Sequence, residues 1–142
     1  MPRKTRLATL LASSLLAAPL LASPTVAAAA PGDEVEVTAG VVTGLKCALD
    51  AKEKHDLKLL TACPPAEATK GLVVFDVAEK RIYGISTKAV RRFELEAAFG
   101  GGSIDFTGKE VKSDPKTEVT TVDVTEYSIA RRPKPGAFKG CL

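Results

Sequence analysis

Four side chains in this 142-residue chain have the types that bind soft metals or carry thiol chemistry: Cys47, Cys63, Cys141 and the single histidine, His55. Cys47, His55 and Cys63 are spaced by eight and eight residues. Structural zinc sites usually draw their ligands in close pairs, two to four residues apart, and no such pair occurs here. Thiolate and imidazole also suit copper. A metal centre or thiol-redox sensor on Cys47, His55 and Cys63 is therefore one reading. The other is a disulfide. Three cysteines allow three single-bridge pairings. Cys47 and Cys63 lie 16 apart and flank one segment, so they are the expected pair. Such a loop would be stabilised by about 3 kcal/mol in the chain-entropy picture. His55 is then a solvated residue of the charged run Lys52-Glu53-Lys54-His55-Asp56. Cys141 is left free, bridges two chains into a dimer, or replaces one partner.

Catalytic patterns are sparse. A Ser/His/Asp set would need His55 as its base, and nothing like Gly-x-Ser-x-Gly is present. Glu94 and Glu96 alternate with apolar neighbours and read as a solvent face. The triplet Gly100-Gly101-Gly102 lacks the Gly-Lys-Ser/Thr ending of a phosphate loop, so it reads as the end of a helix. The expectation is a non-catalytic chain without a cofactor. Tyr83 and Tyr127 are the candidate ligand contacts: each is able to stack on a sugar, or simply to pack in the core with its hydroxyl at the rim.

Charge narrows the partners. The chain has 20 Lys+Arg and 17 Asp+Glu, and the excess lies in Arg3, Lys4 and Arg6, so residues 31–142 carry 17 of each sign. A neutral chain gains little from releasing phosphate counterions. Without Trp, and with only five Phe and two Tyr, it also has few platforms for base stacking. Nucleic acid is not the expected partner; an envelope ligand or protein is.

The elements that would position these residues are mostly strands. Asp33 to Thr43 alternates around Val35 and Val37, with Gly40 marking a bulge or tight bend. Leu49 to Ala62 reads as a weak surface helix or a disulfide-closed loop. Its start signal is Asp50 with Glu53, Leu57 and Leu60 share a face, and Pro64-Pro65 stop it. Gly71–Val77 is apolar on both parities and so covered on both faces. It returns through Ala78-Glu79-Lys80 as the strand Arg81–Ile85. Ser86 or Thr87 would cap a short helix with Val90, Phe93 and Ala97 at helical spacing. Ser103–Lys112 changes parity at Gly108, and Glu118–Ile129 changes it again between Val124 and Tyr127, with the turn Ser113–Lys116 between them. Alternation, glycines inside strands and parity changes describe a closed, strongly curved sheet.

The two ends differ from this middle. Met1–Arg6 is basic, Leu7–Ala22 is apolar and Ser23–Ala30 is small. This is the layout of a secretory leader, expected to cover residues 1–29 and to be cleaved after Ala28 or Ala29. The apolar run is 16 residues and contains Pro19, short of the ~20 that span a bilayer. A periplasmic or secreted domain over residues 30–129 follows, in an oxidising space that favours the disulfide. Residues 130–142 form a basic tail with Arg131, Arg132, Lys134 and Lys139 and no acid; residues 31–129 hold 13 bases against 17 acids.

Gly40-Val41-Val42 leading through Gly44 to Cys47, Cys63 before the Gly71–Val77 strand, Tyr83 and Ile85 in the next, and Gly102-Ser-Ile104-Asp-Phe106-Thr107-Gly108 together resemble small exported bacterial domains of OB-like fold. Most of that group has no assigned function. The likeness spans about residues 35–129. It implies a mainly β chain, a five-stranded OB-like barrel with one or two short helices, the last before the fourth strand. Members often carry an Asp where Gly44 stands, and more Cys or His in the first long loop; this chain departs on both. The resemblance implies export and supplies no catalytic residue. The expected function is an exported, non-catalytic binding or envelope-associated module.

Overall fold

The computed structural model describes residues 32–131. The leader and nearly all of the basic tail, with Cys141, lie outside the described residues. In chain order the elements are β1 (Glu34–Gly44), α1 (Leu45–Lys54), α2 (Lys58–Thr61), α3 (Pro65–Lys70), β2 (Leu72–Asp76), β3 (Arg81–Ile85), α4 (Arg92–Ala98), β4 (Ser103–Asp114) and β5 (Val119–Ala130). The strands close into a barrel in the order β1-β2-β3-β5-β4. Neighbours run antiparallel except β3 and β5, which are parallel. The mainly β, five-stranded expectation holds. Among the described residues the helices number four rather than one or two.

The irregularities expected in β1 and β5 are bulges, but the parity change expected at Gly108 does not occur: Ile104, Phe106, Gly108 and Glu110 all stay on the buried side and Val111 is exposed. In β1, Val37 pairs with Phe106 and Gly40 with Ile104, so two β1 residues oppose the single Asp105. Ala39 turns to φ 54° there, and its N–H donates to Asp105 Oδ1 at 2.6 Å. Gly40 follows because a Cβ would sit 2.5 Å from Val74 Cγ1. The bend lets β1 pair with β4 in its first half and β2 in its second. Near Gly108 the surplus residue is on the partner strand: Thr125 is skipped between the pairs Thr107–Glu126 and Gly108–Val124. A second surplus residue, Val111, lies in β4 itself.

Closure makes two apolar clusters. Val35, Val37, Val42, Val74, Tyr83, Ile104, Phe106, Val122 and Val124 fill the barrel, with Val90, Leu95 and Ala98 packed into the same cluster. On the outside, Val73, Phe75 and Ile82 are covered by Ala48, Ala51 and Leu60. Both faces of β2 are thus buried, as its continuous apolar run requires.

The helical layer departs from the sequence expectation. The helix begins at Leu45, not near Asp50, because its buried face is Cys47, Ala48 and Ala51. Small residues there allow close approach to the sheet, while Asp50 receives Lys46 Nζ at 3.1 Å within the helix. His55 ends it in a left-handed conformation. Leu60 is buried but Leu57 is 46% exposed, so the two share no buried face. Pro65 opens α3 instead of stopping a helix, since the first helical position needs no N–H. Farther on, α4 starts at Arg92, not after Ser86 or Thr87. Its end is closed by Glu94 Oε2, which accepts the Arg91 N–H at 3.1 Å. Val90 is buried ahead of the helix while Phe93 is 58% exposed. Among the described residues, no helix is long and apolar enough to cross a membrane.

Candidate functional site

Two hairpin turns have the same construction. Asp76 ends β2 and Asp114 ends β4. Asp76 Oδ1 accepts the N–H of Ala78 at 2.9 Å, and Asp114 Oδ1 accepts that of Lys116 at 2.9 Å. Asp side chains fold the next residues back in this way. Each turn ends on a left-handed residue, Lys80 at φ 56° and Glu118 at φ 55°. That position closes such a turn into the following strand and usually belongs to glycine. β3 and β5 then leave in parallel, with Ile82 paired to Val119. The turns therefore sit side by side, and Lys80 and Glu118 arrive at one barrel end.

The third wall is the C-terminus of α1. His55 adopts φ 54°, and the next residue's N–H reaches back to Ala51 O at 3.2 Å. One turn earlier, Lys52 pairs with Glu118, joining the helix to the β4–β5 turn. Between these walls lies a cleft of about 500 Å³ lined by Leu49, Lys52, Glu53, His55, Lys80 and Glu118. An adjoining recess of about 200 Å³ is lined by Ala51, Lys52, His55, Leu57, Phe75, Val77 and Lys80. The recess has no acidic residue in its lining. It combines an apolar floor with two ammonium groups and an imidazole.

A left-handed conformation costs a non-glycine residue roughly 1–2 kcal/mol. Three such residues, all polar, converge on one cleft. Glycine would make each turn more easily but would bring no ammonium, carboxylate or imidazole to the opening.

The residues singled out by sequence are distributed as follows. Cys47 and Cys63 form a disulfide, with Cα atoms 5.8 Å apart. It ties α1 to the segment leading into α3 and so braces the helical wall of the cleft. Their sulfurs are bonded to each other and are not thiolate ligands, so the reading that joined them to His55 around a metal loses two of its three donors. His55 instead faces the cleft with Lys52 and Lys80. Tyr83 is buried in the barrel, edge-on to Phe106 with ring centroids 5.8 Å apart. The Arg81 guanidinium lies over its ring at 5.4 Å. Burial pushes its phenol up to about 12. Tyr127 is 39% exposed, but its hydroxyl donates to both Glu94 oxygens, at 3.1 and 3.3 Å. That bond raises its pKa above the usual phenol value. Tyr83 offers no open ring face for stacking, and Tyr127 is already engaged with α4.

Sequence reasoning missed Lys52, Lys80 and Glu118, which sit in segments read as a charged run, a plain connection and the start of the last strand. The legible signal was the repeated pattern of an Asp four residues before a charged residue that immediately precedes a strand. It also missed Glu110. This carboxylate is buried on the inward parity of β4, with neither oxygen hydrogen-bonded and Arg81 Nη2 3.8 Å away. A charge in phase with Ile104 and Phe106 was the available sign. Compared with known proteins, the chain matches no family model, no curated protein and no solved structure.

Proposed function

We propose that this chain is an exported, non-catalytic binding module of OB-like fold, and that it holds an apolar anion in the cleft between α1 and the twin turns. The strand order and the parallel β3–β5 pair agree with an OB-like barrel, whose loops between strands 1 and 2 and between strands 4 and 5 commonly bind ligands. Those are the segments that supply His55, Lys52 and Glu118 here. Export is supported by the three-tier N-terminal pattern and by the disulfide.

The observation that carries the ligand class is the recess. It offers Leu57, Val77 and Phe75 as a floor and Lys52, His55 and Lys80 as donors, with no carboxylate among them. Lys52 is already paired with Glu118, whereas Lys80 forms no ion pair among the described residues. A carboxylate on a short aliphatic chain would place its head on Lys80 and its tail on Leu57 and Val77.

The test is an amide NMR titration of the exported protein with hexanoate, and with hexylammonium as the charge-reversed control. Hexanoate should shift the amides of His55, Leu57, Val77 and Lys80, and hexylammonium should not. Equal shifts from both probes, or shifts scattered over the barrel, would remove the cleft as an anion site.

A further inference from the structure

A second surface lies on the outer face of β1, β4 and β5. Glu36, Thr38, Asp105, Glu126 and Ser128 are exposed there, alternating with buried Val37 and Phe106. Register brings them together: Glu36 stands opposite Thr107, Thr107 opposite Glu126, and Asp105 opposite Ser128. The curvature imposed by the bulges at Ala39 and Thr125 hollows this face into a groove of about 310 Å³. None of the described elements covers it.

The groove's charges are all negative. Asp105 is used internally, accepting the Ala39 N–H. Glu36 and Glu126 take part in no ion pair among the described residues. The strand that supplies Glu126 and Ser128 ends at Ala130, and from there the chain continues as the basic tail. The tail holds Arg131, Arg132, Lys134 and Lys139 and no acid, against an excess of four acids in residues 31–129. Ser128 is three residues from Arg131. At up to about 3.3–3.6 Å per residue, the 11 residues after Arg131 have ample length to fold back across the groove.

We infer that the groove is the docking surface of the chain's own C-terminal tail, residues 131–142. The basic side chains lie over Glu36 and Glu126, and the contact is made within one molecule. Tethering gives the tail an effective concentration in the millimolar range, so exposed pairs of modest individual strength suffice to hold it. This inference concerns a different face from the cleft and stands or falls independently of the ligand proposed there.

The experiment uses the full exported chain labelled for amide NMR. Replacing all four tail bases by Gln (Arg131→Gln, Arg132→Gln, Lys134→Gln, Lys139→Gln) should move the amides of Thr38, Thr107 and Ser128 while leaving those of Val74 and Ile82 in place. The pair Glu36→Gln with Glu126→Gln should increase the fast motion of tail amides. High salt should reproduce both effects in the unaltered protein, because charges beyond a few ångströms are then screened. That arm needs no variant to fold. Reversing the charges on both sides (Glu36→Lys and Glu126→Lys with Arg131→Glu, Arg132→Glu, Lys134→Glu and Lys139→Glu) should restore the original pattern. Groove amides that ignore both tail neutralisation and salt would overturn the inference. So would groove shifts that fade on tenfold dilution, since they would mean that a second copy's tail is the occupant.

Discussion

The left-handed conformation occurs at two regions of this molecule for different reasons. At Ala39 it belongs to a β-bulge. The side chain is a methyl, the orphaned N–H is satisfied by Asp105, and the gain is curvature of the sheet. At the cleft the same conformation recurs at His55, Lys80 and Glu118. There the backbone needs only a helix end and two turns, which glycine supplies more easily. The first region uses an unusual backbone to shape the barrel. The second accepts an unusual backbone and keeps three polar side chains at one opening. Backbone geometry alone does not distinguish them; the side chain does.

The largest expected effect tests what holds the helical wall in place. Cys47→Ser or Cys63→Ser removes the bridge that closes a 16-residue separation. It should lower stability by about 3 kcal/mol, read by urea denaturation, and abolish the hexanoate shifts at His55. The barrel bulge, held by the Asp105 carboxylate and not by the bridge, should keep its amide pattern around Ala39. If hexanoate binding survives in the serine variants, the disulfide is not what positions that wall.

Next in size is the anchor of the β2–β3 turn. Arg81 follows Lys80 directly and is the cation nearest to buried Glu110. Arg81→Ala leaves that carboxylate without a partner and should cost about 2 kcal/mol. This is below the range for a fully buried pair, because Arg81 is partly exposed and its contact is 3.8 Å. Adding Glu110→Leu should recover most of the loss, since removing both members of a buried polar pair is far cheaper than removing one. Additive losses in the double variant would show that Glu110 is satisfied by something other than Arg81.

Glycine substitutions address the comparison directly. Ala39→Gly, Lys80→Gly and His55→Gly should each raise stability by about 0.5–1 kcal/mol, the strain relieved being partly offset by a more flexible unfolded chain. Only the last two should weaken hexanoate binding, by at least about threefold, because only they remove a donor from the recess. Thermal denaturation and the NMR titration read the two effects separately. Equal weakening by Ala39→Gly would erase the distinction between the two regions.

What the sequence made legible was mostly local. Gly40 and the parity change between Val124 and Tyr127 placed two of the bends, and the doubly apolar run Leu72–Phe75 placed the strand buried on both faces; the slip expected at Gly108 was misleading, because the apolar Val111 that suggested it is exposed. The helical layer was less legible because its buried face is built of Cys47, Ala48 and Ala51, too small to register as an apolar stripe, while the charged Asp50–Glu53 pair imitated a helix start. The cleft was hidden for another reason. Lys80 and Glu118 are 38 positions apart in the chain, and only the parallel pairing of β3 with β5 brings their turns together. Pairing of that kind is a property of the closed barrel, not of either segment.

The smallest effect concerns the twin turns themselves. In the β4–β5 turn the Lys116 N–H bonded to Asp114 holds its carboxyl below the usual value of 3.8, with Thr117 and Lys112 acting in the same direction. A carboxyl whose folded pKa is depressed contributes stability that is fully present above the unfolded pKa and is lost as the pH falls through the folded one. The loss therefore belongs to the acid side, below pH 3.8, and not to neutral pH. Asp114→Asn keeps an oxygen that accepts the Lys116 N–H but removes the titration. The variant should show a shallower fall of melting temperature across that acid window, with little change near neutrality. The hexanoate shifts at Lys80 should stay, because Lys80 is held by the other turn. A large loss at neutral pH would mean instead that the charge of Asp114 is needed to form the turn, and that the two turns, alike in backbone, depend on their aspartates in different ways.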